Sequence, residues 1–388
     1  MKRKRMNTRR FYSVTLAIIL LLTACRKPVT DLNSTARSPK TQPELPFAQE
    51  LQDVLESGLE KYGGMGLSAA VIAPGYEMWS GASGVSFGNS PITPDTLFSA
   101  GSINKMYTAV TILQLAEEGM LDLDDPLHEW LPDYPHVDGT ITIRQLLNHT
   151  GGVFDMVRHP DYWDAMLADP AKVWAPEEII THFLLEPYFP KGTGWHYSTP
   201  GYILLRMIVK KATGSELSTT YRDRLFKPLA LENTYLAGEE DLPENTAHGW
   251  LDIDGDGSYD DLASYISFNS GIGGAVYASA KDLALWSQAL FSQGRLLGKA
   301  SFKQMLAFHS PTPGEPLLVG YGLGVVKFSP ELFNGLEIWG HSGNAPGYAA
   351  ACFYLPEFDT SISMMTNTHQ EEPMWTINDL LTIVTSGL

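Results

Sequence analysis

What most constrains the fold of this chain is where its strand-like segments fall. Near the start, "LSAAVIA", the turn "PGY" and "EMWSGASG" read as a hairpin. Near the end, "GLEIWGHSG", "GYAAACFYL" and "TSISMMTNT" are short apolar segments separated by turn residues, including "PEFD". They read as an antiparallel meander. Helical patterns occupy most of what lies between. The economical solution is one antiparallel sheet built from both chain ends, flanked by helices, with a mostly helical insertion over about residues 120–270. The predicted class is therefore α+β. No internal repeat is found.

The helices are legible from three-and-four spacing. In "FAQELQDVLESGLEKYG" the apolar positions are Phe47, Leu51, Val54, Leu55 and Leu59. Ile103, Met106, Val110 and Leu113 continue such a face, with Gly119 as a stop signal. "GYILLRMIVKKATG" ends at Gly214, "KDLALWSQALFSQG" at Gly294, and "PMWTINDLLTIVTSGL" closes the chain. A hydrophobic content of 44% with 11% aromatics excludes a disordered chain.

The start has a different character. Six basic residues (Lys2, Arg3, Lys4, Arg5, Arg9, Arg10) precede "VTLAIILLL". That apolar run is about half as long as a bilayer-spanning helix, so residues 1–24 read as an export signal. "LTAC" resembles the lipobox of bacterial lipoproteins, which implies cleavage before Cys25 and lipidation of that cysteine. Residues 25–45 then read as a flexible tether and 46–388 as one large globular domain. The expected location is the bacterial cell envelope, with Arg26 rather than aspartate after the cysteine favouring the outer membrane. With Cys25 lipidated, Cys352 has no partner for a disulfide and reads as a small buried hydrophobe. The net charge is −17, and loss of the six signal cations takes it to −23. Such a surface repels nucleic acid and anionic headgroups.

Three stretches carry chemistry. In "FSAGSINKMY", Ser102 and Lys105 stand three residues apart at a helix entrance. On a helix they share a face, about 5–6 Å apart at Cβ. Burial and the positive helix end both favour a neutral amine at Lys105, which could take the Ser102 proton. The alternative is that Ser102 is an N-cap followed by an ordinary lysine. Against that, Lys105 lies in line with apolar Ile103 and Met106. In "GWHYSTPGY", Tyr197 precedes a strong helix; it is either a packing tyrosine or, with its pKa lowered by a nearby cation, an acid or base. In "WGHSGNAPGY", His341 alternates with Trp339 on a strand edge, and Gly343 and Gly347 permit a close approach.

Together these stretches resemble the serine beta-lactamase-like, penicillin-recognising hydrolases. That group includes class C beta-lactamases, D-alanyl-D-alanine carboxypeptidases and esterases, with the pattern Ser-x-x-Lys, Tyr-x-Asn, Lys/His-x-Gly. Segments without catalytic duty match as well: "LDLDDPLHEWLP", "TIRQLLNHTGGV", "YILLRMIVKKATG", "KPLALENTYL" and "GGAVYASAKDLALW". The resemblance spans about residues 46–388. It implies Ser102 as nucleophile, Lys105 as its activating partner and Tyr197 as a proton shuttle. It further implies His341, Ser342 and Gly343 as the edge along which substrate lies, and the Ser102 and Asn344 N–H groups as oxyanion hole. No cofactor or metal is implied.

One position departs from the pattern. Thr199 stands where the family has asparagine. A hydroxyl replaces an amide that donates and accepts at once, which weakens a beta-lactamase reading more than an esterase one. Two other features point elsewhere. "DIDGDGSYDD" places Asp252, Asp254 and Asp256 ahead of Gly257 like the start of a calcium loop, but its twelfth position is Ala263, so a tight acidic turn is expected. His149 in "LLNHTGG" is read as structural. The sequence thus predicts a lipid-anchored serine hydrolase acting on an ester or amide of a small molecule or peptide, of esterase or D-alanyl carboxypeptidase type. The alternatives are a beta-lactamase or a non-catalytic binding module.

Overall fold

In the computed structural model, residues 42–309, 318–368 and 375–388 are described. The expected signal segment and Cys25 lie outside them, as does the tether up to residue 41. Pro43 already accepts a hydrogen bond from the Glu77 N–H and Leu45 is buried, so the packed body begins slightly before residue 46.

Both chain ends do enter one sheet. Its seven strands run in the order Trp79–Gly84, Gly66–Ile72, Thr360–Thr366, Tyr348–Leu355, Trp339–Ala345, Val326–Phe328, Leu318–Tyr321, all antiparallel. Period-two alternation splits its side chains between two cores. Leu67, Ala69, Val71, Ala351, Phe353, Ile362 and Met364 face one way. There they meet Leu51 and Leu55 of the first helix, Ala48–Tyr62, and Ile377, Leu380 and Leu381 of the last, Thr376–Gly387. Ala70, Ala350, Cys352, Tyr354 and Met365 face the opposite way, toward Leu283, Ala284 and Trp286 of the helix Ala280–Ser287. Each fully buried leucine contributes about 1.5–3 kcal/mol, so Leu51, Leu55 and Leu380 of the two terminal helices add substantially to what holds the sheet.

On the inner side two helices are buried almost all round, Asn104–Glu117 and Thr199–Thr213. A helix apolar on every face belongs inside a core. Gly214 ends the second in the left-handed conformation, with φ of 65°. Beside them a second, three-stranded sheet of Phe98–Ser99, Ala275–Ala278 and Thr234–Ala237 forms a platform. It was not foreseen, and neither were the strands Leu318–Tyr321 and Val326–Phe328. All are four residues or fewer, too short for alternation to declare itself. Among the described residues no helix is long and apolar enough to cross a membrane.

Candidate active site

The platform delivers Ser102. The strand Phe98–Ser99 is prolonged by Ala100, whose N–H donates to the Val276 carbonyl at 2.8 Å. Gly101 then turns the chain with φ of +52°, a conformation that favours glycine. A 3-10 turn, Gly101–Ile103, leads into the helix Asn104–Glu117. No side chain caps this helix, which disposes of the N-cap alternative for Ser102. Instead Lys105 Nζ lies 3.1 Å from Ser102 Oγ.

Lys105 is 2% exposed. Its pKa is brought down to about 7, chiefly by burial and then by the Arg206 cation, while the Asp155 carboxylate pushes the other way. Near neutrality a large fraction of Lys105 is therefore a free amine that can accept the Ser102 proton. Tyr197 stands beside it, its ring centroid 4.7 Å from Nζ. Here the expected lowering of the tyrosine pKa is reversed. The hydroxyl is sealed from solvent and lacks a well-formed hydrogen bond. Burial raises its pKa strongly, outweighing the help of the Ser102 hydroxyl. Tyr197 is a phenol at every working pH, fitted to pass a proton rather than to abstract one.

His341 and Gly343 pair with Cys352 and Ala350, so both face the inner core and the Ser102 turn. The fit there is backbone on backbone. A Cβ on Gly343 would fall 2.0 Å from the Ala100 carbonyl oxygen and 3.2 Å from the Ser102 nitrogen. One on Gly101 would fall 2.7 Å from the Asn344 nitrogen. The amides of Ser102 and Asn344 are thereby brought to the same seam. The strand Trp339–Ala345 pairs with Val326–Phe328 only at Trp339 and Gly340. Among the described strands its edge from His341 onward is unpaired.

His341 is buried and neutral. Its Nδ1 donates to the Ser342 carbonyl (2.5 Å), which leaves Nε2 to accept from the Tyr321 hydroxyl (3.1 Å). Its pKa is lowered to about 3 by burial first and Lys105 second. His149 is buried too, with its Nδ1 accepting the Ser198 N–H at 3.2 Å and its ring 4.5 Å from that of Tyr197. It packs the site from behind.

Ser102, Lys105, Tyr197, Thr199, His341, Ser342 and Asn344 line one cavity of about 540 Å³, with Gly343 at the seam beneath it. Asp155, Arg206 and Tyr321 line it as well, and the sequence reading missed all three. Arg206 is buried and spends one guanidinium nitrogen on the carbonyls of Ile272, Gly273 and Gly274 at 2.9–3.0 Å. Its signal was available: a charge inside the apolar run "YILLRMIV", the same kind of clue that marked Lys105. Asp155 has only its apolar neighbours Phe154 and Met156 to distinguish it. Its carboxylate accepts the Thr199 N–H at 3.3 Å.

The acidic loop lies between the paired strands Trp250–Leu251 and Asp260–Asp261. Carboxylate oxygens of Asp252, Asp254 and Asp256 lie within 4.8 Å of one another, and Asp252 accepts the Gly255, Asp256 and Gly257 N–H groups.

The model of the family described as Beta-lactamase matches residues 51–384. The chain belongs to the beta-lactamase family. It is similar to penicillin-binding protein 4* of Bacillus subtilis (strain 168), with 30% identity over 297 residues, 72% of this chain and 63% of that one. The chain spans 62–63% of the length of the first curated relatives it matches. Among solved structures, a D-stereospecific amidohydrolase from Streptomyces sp. superposes with a TM-score of 0.74 at 30% identity, covering 85% of this chain and 98% of that one. The D-amino acid amidase of Ochrobactrum anthropi SV3, complexed with L-phenylalanine amide, gives 0.76 at 26% identity, covering 87% and 98%. The beta-lactamase fold, a large antiparallel sheet flanked by helices, is thus shared across nearly the whole of these chains.

Proposed function

We propose that this beta-lactamase family member hydrolyses an ester or amide through an acyl intermediate on Ser102. The observation that carries the reading is a buried Lys105 amine 3.1 Å from Ser102 Oγ, inside a cavity large enough for a small substrate. Lys105 Nζ takes the hydroxyl proton as Oγ bonds to the substrate carbonyl carbon. The developing oxyanion is held by the Ser102 and Asn344 N–H groups. When the tetrahedral adduct collapses, the carbonyl–leaving-group bond breaks. The leaving alcohol or amine receives its proton from Lys105, with the Tyr197 phenol as relay. Lys105 Nζ, again neutral, takes a proton from the water that attacks the acyl carbonyl; the bond to Ser102 Oγ breaks, Oγ regains the proton and the carboxylic acid leaves. The unpaired edge beyond His341 suits a substrate with peptide-like donors and acceptors.

Thr199 disfavours a beta-lactam substrate, since its short hydroxyl replaces an amide at the cavity wall. The similarity to D-stereospecific amidohydrolase and D-amino acid amidase structures supports amides and esters of D-amino acids as the first substrates to try. From the sequence alone we also propose export and lipid anchoring at Cys25 in the cell envelope; radiolabelled palmitate incorporation, lost in Cys25→Ala, tests this. The hydrolase reading is tested by intact mass after fluorophosphonate treatment, with Ser102→Ala as blank. An adduct in the native protein alone, with turnover of aryl esters or D-aminoacyl amides, supports it. A protein that takes no adduct and turns over nothing is a binding module.

A further inference from the structure

Tyr197 is the member of the site with the least to hold it. Its hydroxyl is sealed from solvent without a well-formed hydrogen bond. Its place beside Lys105 is therefore set by the backbone around it and by what its ring rests on. Both supports come from one residue, His149. The His149 carbonyl accepts the His196 N–H at 3.2 Å, and its Nδ1 accepts the Ser198 N–H, also at 3.2 Å. The N–H groups of the residues before and after Tyr197 are thus gripped together. The His149 ring then lies 4.5 Å from the Tyr197 ring, centroid to centroid, tilted by 39°.

His149 holds this place at a cost. It is 2% exposed and has φ of +62°, in the left-handed region. A non-glycine residue there is strained and persists only where its surroundings fix it. Accepting at Nδ1 puts the ring proton on Nε2. That nitrogen is buried with no hydrogen-bond partner among the described residues. An unpartnered buried donor is destabilising, so mere packing behind the site would be served better by an apolar ring. What an apolar ring lacks is the acceptor for Ser198. The same ring lies 4.6 Å from that of Tyr321, whose hydroxyl donates to His341 Nε2.

We propose that His149 is a positioning residue for the reaction: by gripping the Ser198 N–H, its Nδ1 sets the Tyr197 hydroxyl where it can carry a proton to the leaving group. This rests on the acyl-Ser102 reading and deepens it. The proton that Lys105 takes from Ser102 has to reach the departing oxygen as the bond to the carbonyl carbon breaks. The phenol gives its own proton to that oxygen and receives the one on Lys105 Nζ. A phenol displaced by about 1 Å no longer spans the two. Leaving groups that depart as stable anions are indifferent to that loss; poor ones are not.

The experiment measures kcat/KM for p-nitrophenyl, phenyl and benzyl acetate, which share an acyl group and need leaving-group protonation increasingly. The variants are His149→Phe, which keeps a ring without the acceptor, His149→Asn, Tyr197→Phe, and the double variant with both phenylalanines. Asparagine supplies an acceptor near the place of Nδ1 and tolerates left-handed backbone. Rates are taken per Ser102 that accepts a fluorophosphonate, so unfolded chain is not counted. His149→Phe is expected to lose roughly a hundredfold on benzyl acetate and less than about threefold on p-nitrophenyl acetate. Tyr197→Phe should show the same selectivity, and the double variant should fall no further than Tyr197→Phe, since the two act as one unit. An equal loss on all three acetates in His149→Phe, or losses that multiply in the double variant, overturns the proposal. His149→Asn is read independently, and decides if His149→Phe does not fold. A native ratio of benzyl to p-nitrophenyl turnover supports the proposal, and a ratio fallen to that of Tyr197→Phe overturns it. Native protein that cleaves p-nitrophenyl acetate but not benzyl acetate has no relay to position, which overturns it while the Ser102 reading stands. Absence of any turnover and of any Ser102 adduct removes the hydrolase reading, and the positioning role with it.

Discussion

At the scale of single residues, the proposed function makes Lys105 the source of both the activity and a cost. With its pKa at about 7, and with His341 neutral and Tyr197 un-ionised across the working range, kcat/KM for an uncharged ester is expected to rise with pH through about 7 and then level. A flat profile from pH 5 to 9 would remove Lys105 from the role of base. The same shift works against folding. Between about pH 7 and 10.5 the unfolded chain holds a proton that the folded chain has released, so stability rises with pH over that window. Below pH 7 the folded protein keeps a buried ammonium, at a cost on the order of 5 kcal/mol or less. Lys105→Met is expected to lower turnover by about 10²–10⁴ and to raise the melting temperature by roughly 2–4 °C, less so at pH 10; calorimetry at pH 6 and 10 checks the sign. The reactive residues were legible because Ser102, Tyr197 and His341 sit in recognisable short motifs. Asp155 was not, since an acid in a loop becomes remarkable only once folding has buried it.

At the scale of elements, the decisive contact joins the Ser102 turn to the strand Trp339–Ala345. Gly343→Ala would set a methyl 2.0 Å from the Ala100 oxygen. Such overpacking costs about 1–3 kcal/mol. The variant is expected to show that loss in urea unfolding together with a fall in ester turnover, because the strand carries the Asn344 amide away as it retreats. Unchanged turnover would show that the Asn344 amide is no part of the oxyanion site. The sequence displayed the long helices and the three C-terminal strands because length lets a period repeat. It hid the strands Phe98–Ser99, Thr234–Ala237 and Ala275–Ala278, which carry two to four residues each and are defined only by their partners. Phe98 and Thr234 both pair with Ala278, far along the chain from either, and such pairing leaves no local trace.

At the scale of the molecule, one sheet assembled from both ends makes the body a single cooperative unit. Strand Gly66–Ile72 pairs with Thr360–Thr366, and the first and last helices share one core. Leu380→Ala, at a fully buried position of the last helix, is expected to cost about 2–5 kcal/mol. Far-UV ellipticity and Ser102 labelling should then be lost at the same lowered temperature. Separate transitions would mean that the catalytic half folds without the terminal layer. This closure was legible early, since hairpin and meander stand at opposite ends of the sequence with helices between.

Glycine 101 and glycine 343 meet where any added atom would collide. A side chain added at either position pushes backbone against backbone, so stability and the placement of the Asn344 amide change together. Trp163, Val157 and Ile272 line the same cavity without sharing that contact. An engineer seeking altered substrates should randomise those positions and leave the junction alone.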